Sequence, residues 1–225
     1  MEPVTTFDLQ HSSVREINAA LHARDIDGDF VIENPAGAHN LAVGLDAAVR
    51  LRIAGHVGYY AAGMNQHAEV TIEGNAGVGL AENMMSGTVL VKGNASQSAG
   101  ATAHGGLLVI EGDAAARCGI SMKGVNIVVG GNAGHMSAFM AQSGTLVIRG
   151  DVGDALGDSI YEARIYVRGE VASLGADCVP KSMDDNHHAE LAALLKEAGF
   201  DDETSTYTRY GSGRSLYHFH SDNTY

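Results

Sequence analysis

Seven short apolar segments recur along this chain at a fixed interval of 19 residues, and that interval limits what the chain can fold into more than any other feature. They are Leu51-Arg-Ile53, Val70-Thr-Ile72, Val89-Leu-Val91, Leu108-Val-Ile110, Ile127-Val-Val129, Leu146-Val-Ile148 and Ile165-Tyr-Val167. One residue after each comes a glycine: Gly55, Gly74, Gly93, Gly112, Gly131, Gly150 and Gly169. One such strand with its turn cannot bury its own face, whereas stacked copies can. Each coil is then expected about 4.8 Å above the last, the spacing of paired strands. The fold class is all-β: a right-handed single-stranded parallel β-helix of about seven 19-residue coils, with short N- and C-terminal helices. The 29 glycines among 225 residues exceed the roughly 7% of an average domain. They lack the triplet spacing of collagen, and a long fixed period agrees with stacked turns.

Alternation within each strand assigns the inside. The flanking residues, such as Val70 and Ile72, point one way and build an aliphatic ladder. The residue after each glycine forms a second ladder, Asn75, Asn94, Asp113, Asn132 and Asp151, of types that tolerate turns and bond to nearby backbone. Three residues past each glycine the side chain is small throughout: Gly58, Gly77, Ser96, Ala115, Gly134, Gly153 and Ala172. A tight corner or a close approach between chains accounts for that. Met64, Met84, Met122 and Met140 fall nine or ten residues past a glycine and are expected to fill another side of the core. The middle strand residues Arg52, Thr71, Leu90, Val109, Val128, Val147 and Tyr166 should face outward, and five consecutive coils place an apolar group there. A bare strip of that size is unusual. Either the C-terminal helix covers it or another protein does.

Outside the repeat, Ser13 to Arg24 reads as a helix, with Ser13 and Glu16 at capping-box spacing and Val14, Ile17, Ala20 and Leu21 on one face. Phe30-Val31-Ile32, ended by Asn34-Pro35, lies about one period upstream of the first repeat and reads as an irregular first coil. The pattern fades after Val171. Asn186 to Gly199 reads as a helix with Leu191, Leu194 and Leu195 on one face, followed by a polar tail from Asp201 to Tyr225 that carries Tyr207, Tyr210, Tyr217 and Phe219. Three segments follow: 1–29, an N-terminal helical segment; 30–180, the β-helix; and 181–225, the C-terminal helix and tail.

A net charge of −13 opposes binding to phosphate backbones and to anionic membranes. Two cysteines, Cys118 and Cys178, cannot make a disulfide framework and fit a reducing compartment. Met1 to Gln10 has no basic region followed by an apolar one, and the apolar runs are only about strand length. A cytoplasmic location is expected, with neither nucleic acid nor membrane as partner.

Residues that could carry chemistry have structural readings beside them. Gly74-Asn-Ala-Gly77-Val-Gly79 invites a nucleotide-loop reading, but its glycines recur in every coil and no helix follows. The Asn/Asp ladder holds three neutral members in five, too little charge for strong calcium sites. His187, His188 and Glu190 cluster at a helix start, and His218 and His220 flank Phe219. Zinc needs three or four convergent ligands. Cys118 follows Arg117, which would favour a thiolate, yet no histidine occupies a partner position. No catalytic, cofactor-binding or metal-binding residue is assigned. A free-standing enzyme acting on polysaccharide would need a groove of clustered carboxylates, and none stands at regular positions.

The repeated strand-Gly-x-x-Gly pattern, carried by Gly74-Asn-Ala-Gly77 and Gly131-Asn-Ala-Gly134 at 19-residue spacing, resembles the GXGXG domain at the C-terminus of the glutamate synthase large subunit. The resemblance runs from about Phe30 to Val179, and Gly213-Arg-Ser-Leu-Tyr-His-Phe219 is similar to the family's ending. It implies a non-catalytic structural subunit of a glutamate-synthase-type complex. Its implied partners are a glutaminase-like amidotransferase subunit and an FMN-binding, glutamate-synthase-like subunit that also holds an iron–sulfur cluster. N-methylglutamate synthase, which converts methylamine and glutamate to N-methylglutamate and ammonia, is the reaction it points to first. A split glutamate synthase using ammonia from glutamine is the alternative. Another is the β-helix subunit of formylmethanofuran dehydrogenase, which is built on the same module. The implied assembly is a hetero-oligomer with no cofactor in this chain.

Overall fold

A computed structural model describes residues 4–214. Nine parallel strands stack in chain order: β1 (Thr5–Asp8), β2 (Asp29–Glu33), β3 (Arg50–Ile53), β4 (Glu69–Ile72), β5 (Thr88–Val91), β6 (Leu107–Ile110), β7 (Lys123–Val129), β8 (Ser143–Ile148) and β9 (Arg164–Val167). From β3 to β9 the register advances by one repeat per coil, Leu51 to Val70 to Val89 to Leu108 to Ile127 to Leu146 to Ile165. Thus the seven repeats are seven coils of a parallel β-solenoid. Phe30 pairs with Leu51, so β2 is the irregular coil expected from Phe30-Val31-Ile32. The inward ladder is closed to water, with Leu51, Val70, Val89, Leu108, Ile127, Leu146 and Ile165 all within one core.

The second side of each coil is a ladder of single bridges, Val57 to Ala76 to Ala95 to Ala114 to Ala133 to Val152 to Val171. The Asn/Asp ladder runs beside it, and its role is a relay. Each side-chain Oδ1 accepts the backbone N–H of the ladder residue one coil later: Asn75 from Asn94, Asn94 from Asp113, Asp113 from Asn132, Asn132 from Asp151, and Asp151 from Glu170. His56 Nδ1 starts the series by accepting from the Asn75 N–H at 2.8 Å. The oxygens are therefore spent on backbone donors at turns where no strand partner serves them. The glycines that end the strands serve this relay by being small. Of the seven, only Gly55 has a positive φ, so special backbone angles are not their reason. A Cβ on Gly131 would lie 2.1 Å from Asp113 Oδ1, and one on Gly77 would lie 2.5 Å from the carbonyl carbon of Gly58.

Both ends depart from the repeat. β1 was hidden in the N-terminal segment expected to be helical. It pairs in parallel with β2, and α1 (Val14–Leu21) is inserted between them. Ser13 caps α1 in a capping box with Glu16, and Ile17 and Leu21 are buried in the main core. At the other end the chain reverses. β10 (Cys178–Lys181) is followed by α2 (Asp185–Glu197), and then β11 (Thr208–Ser212) inserts between β9 and β10, antiparallel to both. The stretch read as a polar tail thus contributes a strand, while Tyr217 and Phe219, with the end of the Gly213–Phe219 motif, lie outside the described residues. The one sheet runs through all three segments of the sequence.

Helix α2 settles what covers the outward apolar strip. Leu191, Leu194 and Leu195 pack on Val109, Val128, Val147 and Tyr166 in a second core. Burying each leucine is worth about 1.5–3 kcal/mol. Beyond α2 the chain is fastened to the coils by Asp202. Arg149 grips its carboxylate with two bonds of 2.5 and 2.8 Å. Arg168 and the Tyr207 hydroxyl add bonds of 3.0 and 2.8 Å, and the Arg149 guanidinium lies 4.0 Å from the centre of the Phe200 ring. These bonds, Arg149's foremost, hold the Asp202 pKa down to about 2.

This packing has measurable consequences. Gly131→Val should lower the thermal midpoint by roughly 4–8 °C, since forcing apart a close-packed contact costs about 2 kcal/mol; circular dichroism melting reads this. Val109→Asp with Val128→Asp should unfold the isolated chain or cost at least roughly 3 kcal/mol, because the charges lie beneath α2 without partners; normal folding would remove the helix as the cover. Asp202 has a depressed folded-state pKa, so its contribution is present above the unfolded carboxylate value and is lost as pH falls from about 4 through about 2. Asp202→Asn should therefore lose about 1–2 kcal/mol at neutral pH, measured by urea unfolding, and the gap to the parent protein should shrink below about pH 4 and close only at about pH 2 and below.

Candidate functional site

The third side of each coil has an unusual backbone. Every second residue there has positive φ: Tyr60, Ala62 and Met64 in one coil, Gly79, Ala81 and Asn83 in the next, then Ser98, Gly100 and Thr102, and so on to Ala155, Gly157 and Ser159. Left-handed angles are costly for residues other than glycine. Here hydrogen bonds to both neighbouring coils offset that cost. Tyr60 and Met64 donate forward to the Val78 and Glu82 carbonyls at 2.8 Å, and Ala62 donates back to Leu41 at 3.0 Å. The middle position of each triplet is Ala or Gly in every coil, and Ala62, Ala81 and Ala138 are fully buried. The outer positions face solvent.

This geometry divides the methionine ladder expected to fill the core. Met84 and Met122, ten residues past their glycines, are fully buried, whereas Met64 and Met140, nine past theirs, are 44% and 50% exposed. One residue of offset moves the side chain from inside to outside. Met64 and Met140 share a column, and Tyr59, Val78 and Met85 are further large apolar side chains left exposed beside this left-handed tract. His39 stacks on Tyr59 with ring centres 4.1 Å apart. Met64 and Met85 line a cleft of about 500 Å³ with His22, Val43, Asn83 and His104. His22 is held there by a 2.8 Å bond from Nε2 to the Val43 carbonyl. Exposed methionines suit an adaptable contact surface, since the thioether fits irregular partners. The left-handed side, not the strand side beneath α2, is the apolar surface open to another molecule.

The residues singled out for chemistry do not converge. His187 completes the cap of α2 with Asp184, His188 Nδ1 lies 3.0 Å from the Thr204 hydroxyl, and Glu190 pairs with Arg164. His218 and His220 lie outside the described residues, and no group of three or more metal-binding side chains occurs among the described ones. Cys118 is fully buried and its thiol is pushed up to about 12 by desolvation, the opposite of an activated nucleophile. Cys178 is likewise pushed up to about 11. The Asn/Asp oxygens weighed as calcium ligands accept backbone N–H groups instead. Gly74-Asn-Ala-Gly77 lies where two coils touch, with no room for a phosphate: a Cβ on Gly74 would meet His56 at 2.6 Å. The alternation of left-handed angles that shapes the exposed side had no compositional signal, since Tyr, Met, Asn, Ser and Thr all occupy its outer positions.

Among the described residues no helix is long and apolar enough to cross a membrane. No protein-family model matches the chain, and no solved structure matches it. Protein GlxC of Rhizobium meliloti (strain 1021) is 56% identical over 220 residues, which are 96% of this chain and 96% of that protein. With identity of that extent, over a stack in which each column constrains the next, the chain belongs to the family of protein GlxC.

Proposed function

We propose that the chain is a non-catalytic structural subunit of a glutamate-synthase-type complex. Its first-choice reaction is that of N-methylglutamate synthase, methylamine and glutamate giving N-methylglutamate and ammonia. The observation that carries the reading is the 19-residue stack, in continuous register from Leu51 to Ile165, with a glycine after every strand and a second one three residues on in four of the seven coils, the pattern that resembles the glutamate synthase module. A stack braced on three sides is stiff, and stiffness suits a spacer between catalytic partners. The chemistry then belongs to a glutaminase-like amidotransferase and to a synthase chain with FMN and an iron–sulfur cluster, in the cytoplasm. The methionine-bearing left-handed side supplies the contact.

Purification of the tagged chain from its own cells, with mass spectrometry and metal analysis of what accompanies it, tests this. An amidotransferase-like chain and a yellow, iron-containing chain are expected, with methylamine-dependent formation of N-methylglutamate. Glutamine-dependent glutamate formation would shift the reaction to a split glutamate synthase. Molybdenum or tungsten in the preparation would move it to formylmethanofuran dehydrogenase. Met64→Asp with Met85→Asp should leave stability within about 0.5 kcal/mol, as exposed positions do, while assembly with the partners is lost on size-exclusion chromatography. Normal assembly of that variant would place the interface elsewhere.

A further inference from the structure

The groove along one flank of α2 holds polar groups that helix packing does not require. One wall is a register-aligned column at the strand starts, Asn126, Thr145 and Arg164. The other is the face of α2 that carries Glu190, Ala193, Leu194 and Glu197, spaced as neighbours on one helix surface. The cleft between them measures about 360 Å³, near the lower end of ligand pockets. Tyr166 lines it, is 1% exposed, and its hydroxyl has no hydrogen-bond partner among the described residues. Directly across the sheet from Tyr166 is Arg209. Its Nη1 donates to the Ser182 carbonyl at 2.9 Å, but its Nε is buried without a partner among those residues. Two buried polar atoms without partners on register-paired residues are costly, and phenylalanine with an aliphatic neighbour would have filled the same space without that cost.

We propose that this cleft binds a small zwitterionic amino acid with an uncharged polar or a basic side chain. A simple anion is opposed by Glu190 and Glu197, and a simple cation by Arg164. A zwitterion meets both signs: its carboxylate accepts from Arg164 and the Tyr166 hydroxyl, and its ammonium donates to Glu190. The Arg164–Glu190 ion pair stands at the entrance with side chains 43% and 54% exposed. Such exposed pairs are worth little, so it opens readily and uncovers the hydroxyl. The ligand side chain then runs along the cleft past Thr145, one strand spacing of about 4.8 Å, toward Glu197. Glu197 accepts from an amide or ammonium group there and repels a carboxylate. The inference goes beyond the scaffold reading and does not depend on any partner chain.

Isothermal titration of the full chain with L-glutamine, L-lysine, L-glutamate, acetate and methylammonium tests it. Glutamine and lysine should bind saturably, glutamate at least about tenfold more weakly, and acetate or methylammonium alone not at all. Tyr166→Phe removes one oxygen and keeps the ring packing, so it should retain the thermal midpoint yet abolish binding, as should Glu190→Gln. Glu197→Gln should narrow the gap between glutamine and glutamate. Absence of amino-acid binding to the parent protein would overturn the proposal. So would binding that survives both Tyr166→Phe and Glu190→Gln.

Discussion

Each coil of this molecule rests on the backbone of the coil before it, and the contact at the turn leaves no room for a β-carbon. At Gly131 the neighbour is Asp113 Oδ1, at Gly150 it is Asn132 Oδ1, and at Gly169 it is Asp151 Oδ1. The same oxygens accept the next turn's backbone N–H. Size and hydrogen bonding are thus a single condition: a small residue at one position lets an amide or carboxylate oxygen from the coil below reach the amide above. Once that condition holds in every coil, the register of the aliphatic ladder, the alanine bridges and the left-handed tract follow, because all are locked to the same 19-residue step. The last coil tests the rule by breaking it. Leu156 pairs with Leu174, one residue short of the step, and beyond that point the parallel stack gives way to the antiparallel pair β10 and β11.

The three sides of the solenoid have different fates. The strand side carries the outward apolar column, and α2 closes it from Val109 to Tyr166. Toward β2 and β3 the same side carries ion pairs, Arg52 near Glu33 and Arg50 bonded to Asp29, beside Val31 and the exposed Val4. The bridge side is fully occupied by backbone contacts and the side-chain relay. Among the described residues the left-handed side gathers most of the large apolar side chains left in the open, Met64 and Met140 among them. A scaffold that must present one face to a neighbour gains from this division, because mutations on the exposed side leave the register untouched.

The repeat was legible because it is written in residue types that one physical role demands: β-branched and leucine residues in the strands, glycine at the contact, Asn or Asp after it. The capping box at Ser13 and Glu16 was legible for the same reason, its two hydrogen bonds requiring those side chains at that spacing. Other features had no such signature. β1 and β11 are single strands without a periodic neighbour, and β11 finds its place only after α2 has brought the chain back to β9. Whether Met64 faces in or out depends on a left-handed angle at Met64 itself, which many residue types can adopt when two coils hold the backbone. The glycines stand where the period puts them, but composition marks only a turn there and does not distinguish an uncommon φ from a close neighbour. Tyr166 was visible as an outward residue, yet the burial of its hydroxyl comes from α2 and β11, which are distant in sequence and packed against it only in the fold.

The edge strands of the sheet also bear on how copies of the molecule can meet. A solenoid with a bare parallel edge at both ends offers matching templates, and copies joined head to tail would continue the sheet without limit. Among the described residues one edge of the sheet is the short strand β1 and the other is β10, which is antiparallel to β11 and therefore parallel to β9 and the coils before it; β10 carries Pro180, a residue with no backbone N–H to offer. Two reversals restore the strand direction, so it is the shortness of both edge strands and the missing N–H of Pro180 that make these edges poor templates. A chain built from the most fibre-prone of backbone arrangements thus carries on one of its edge strands a residue that disfavours growth into filaments.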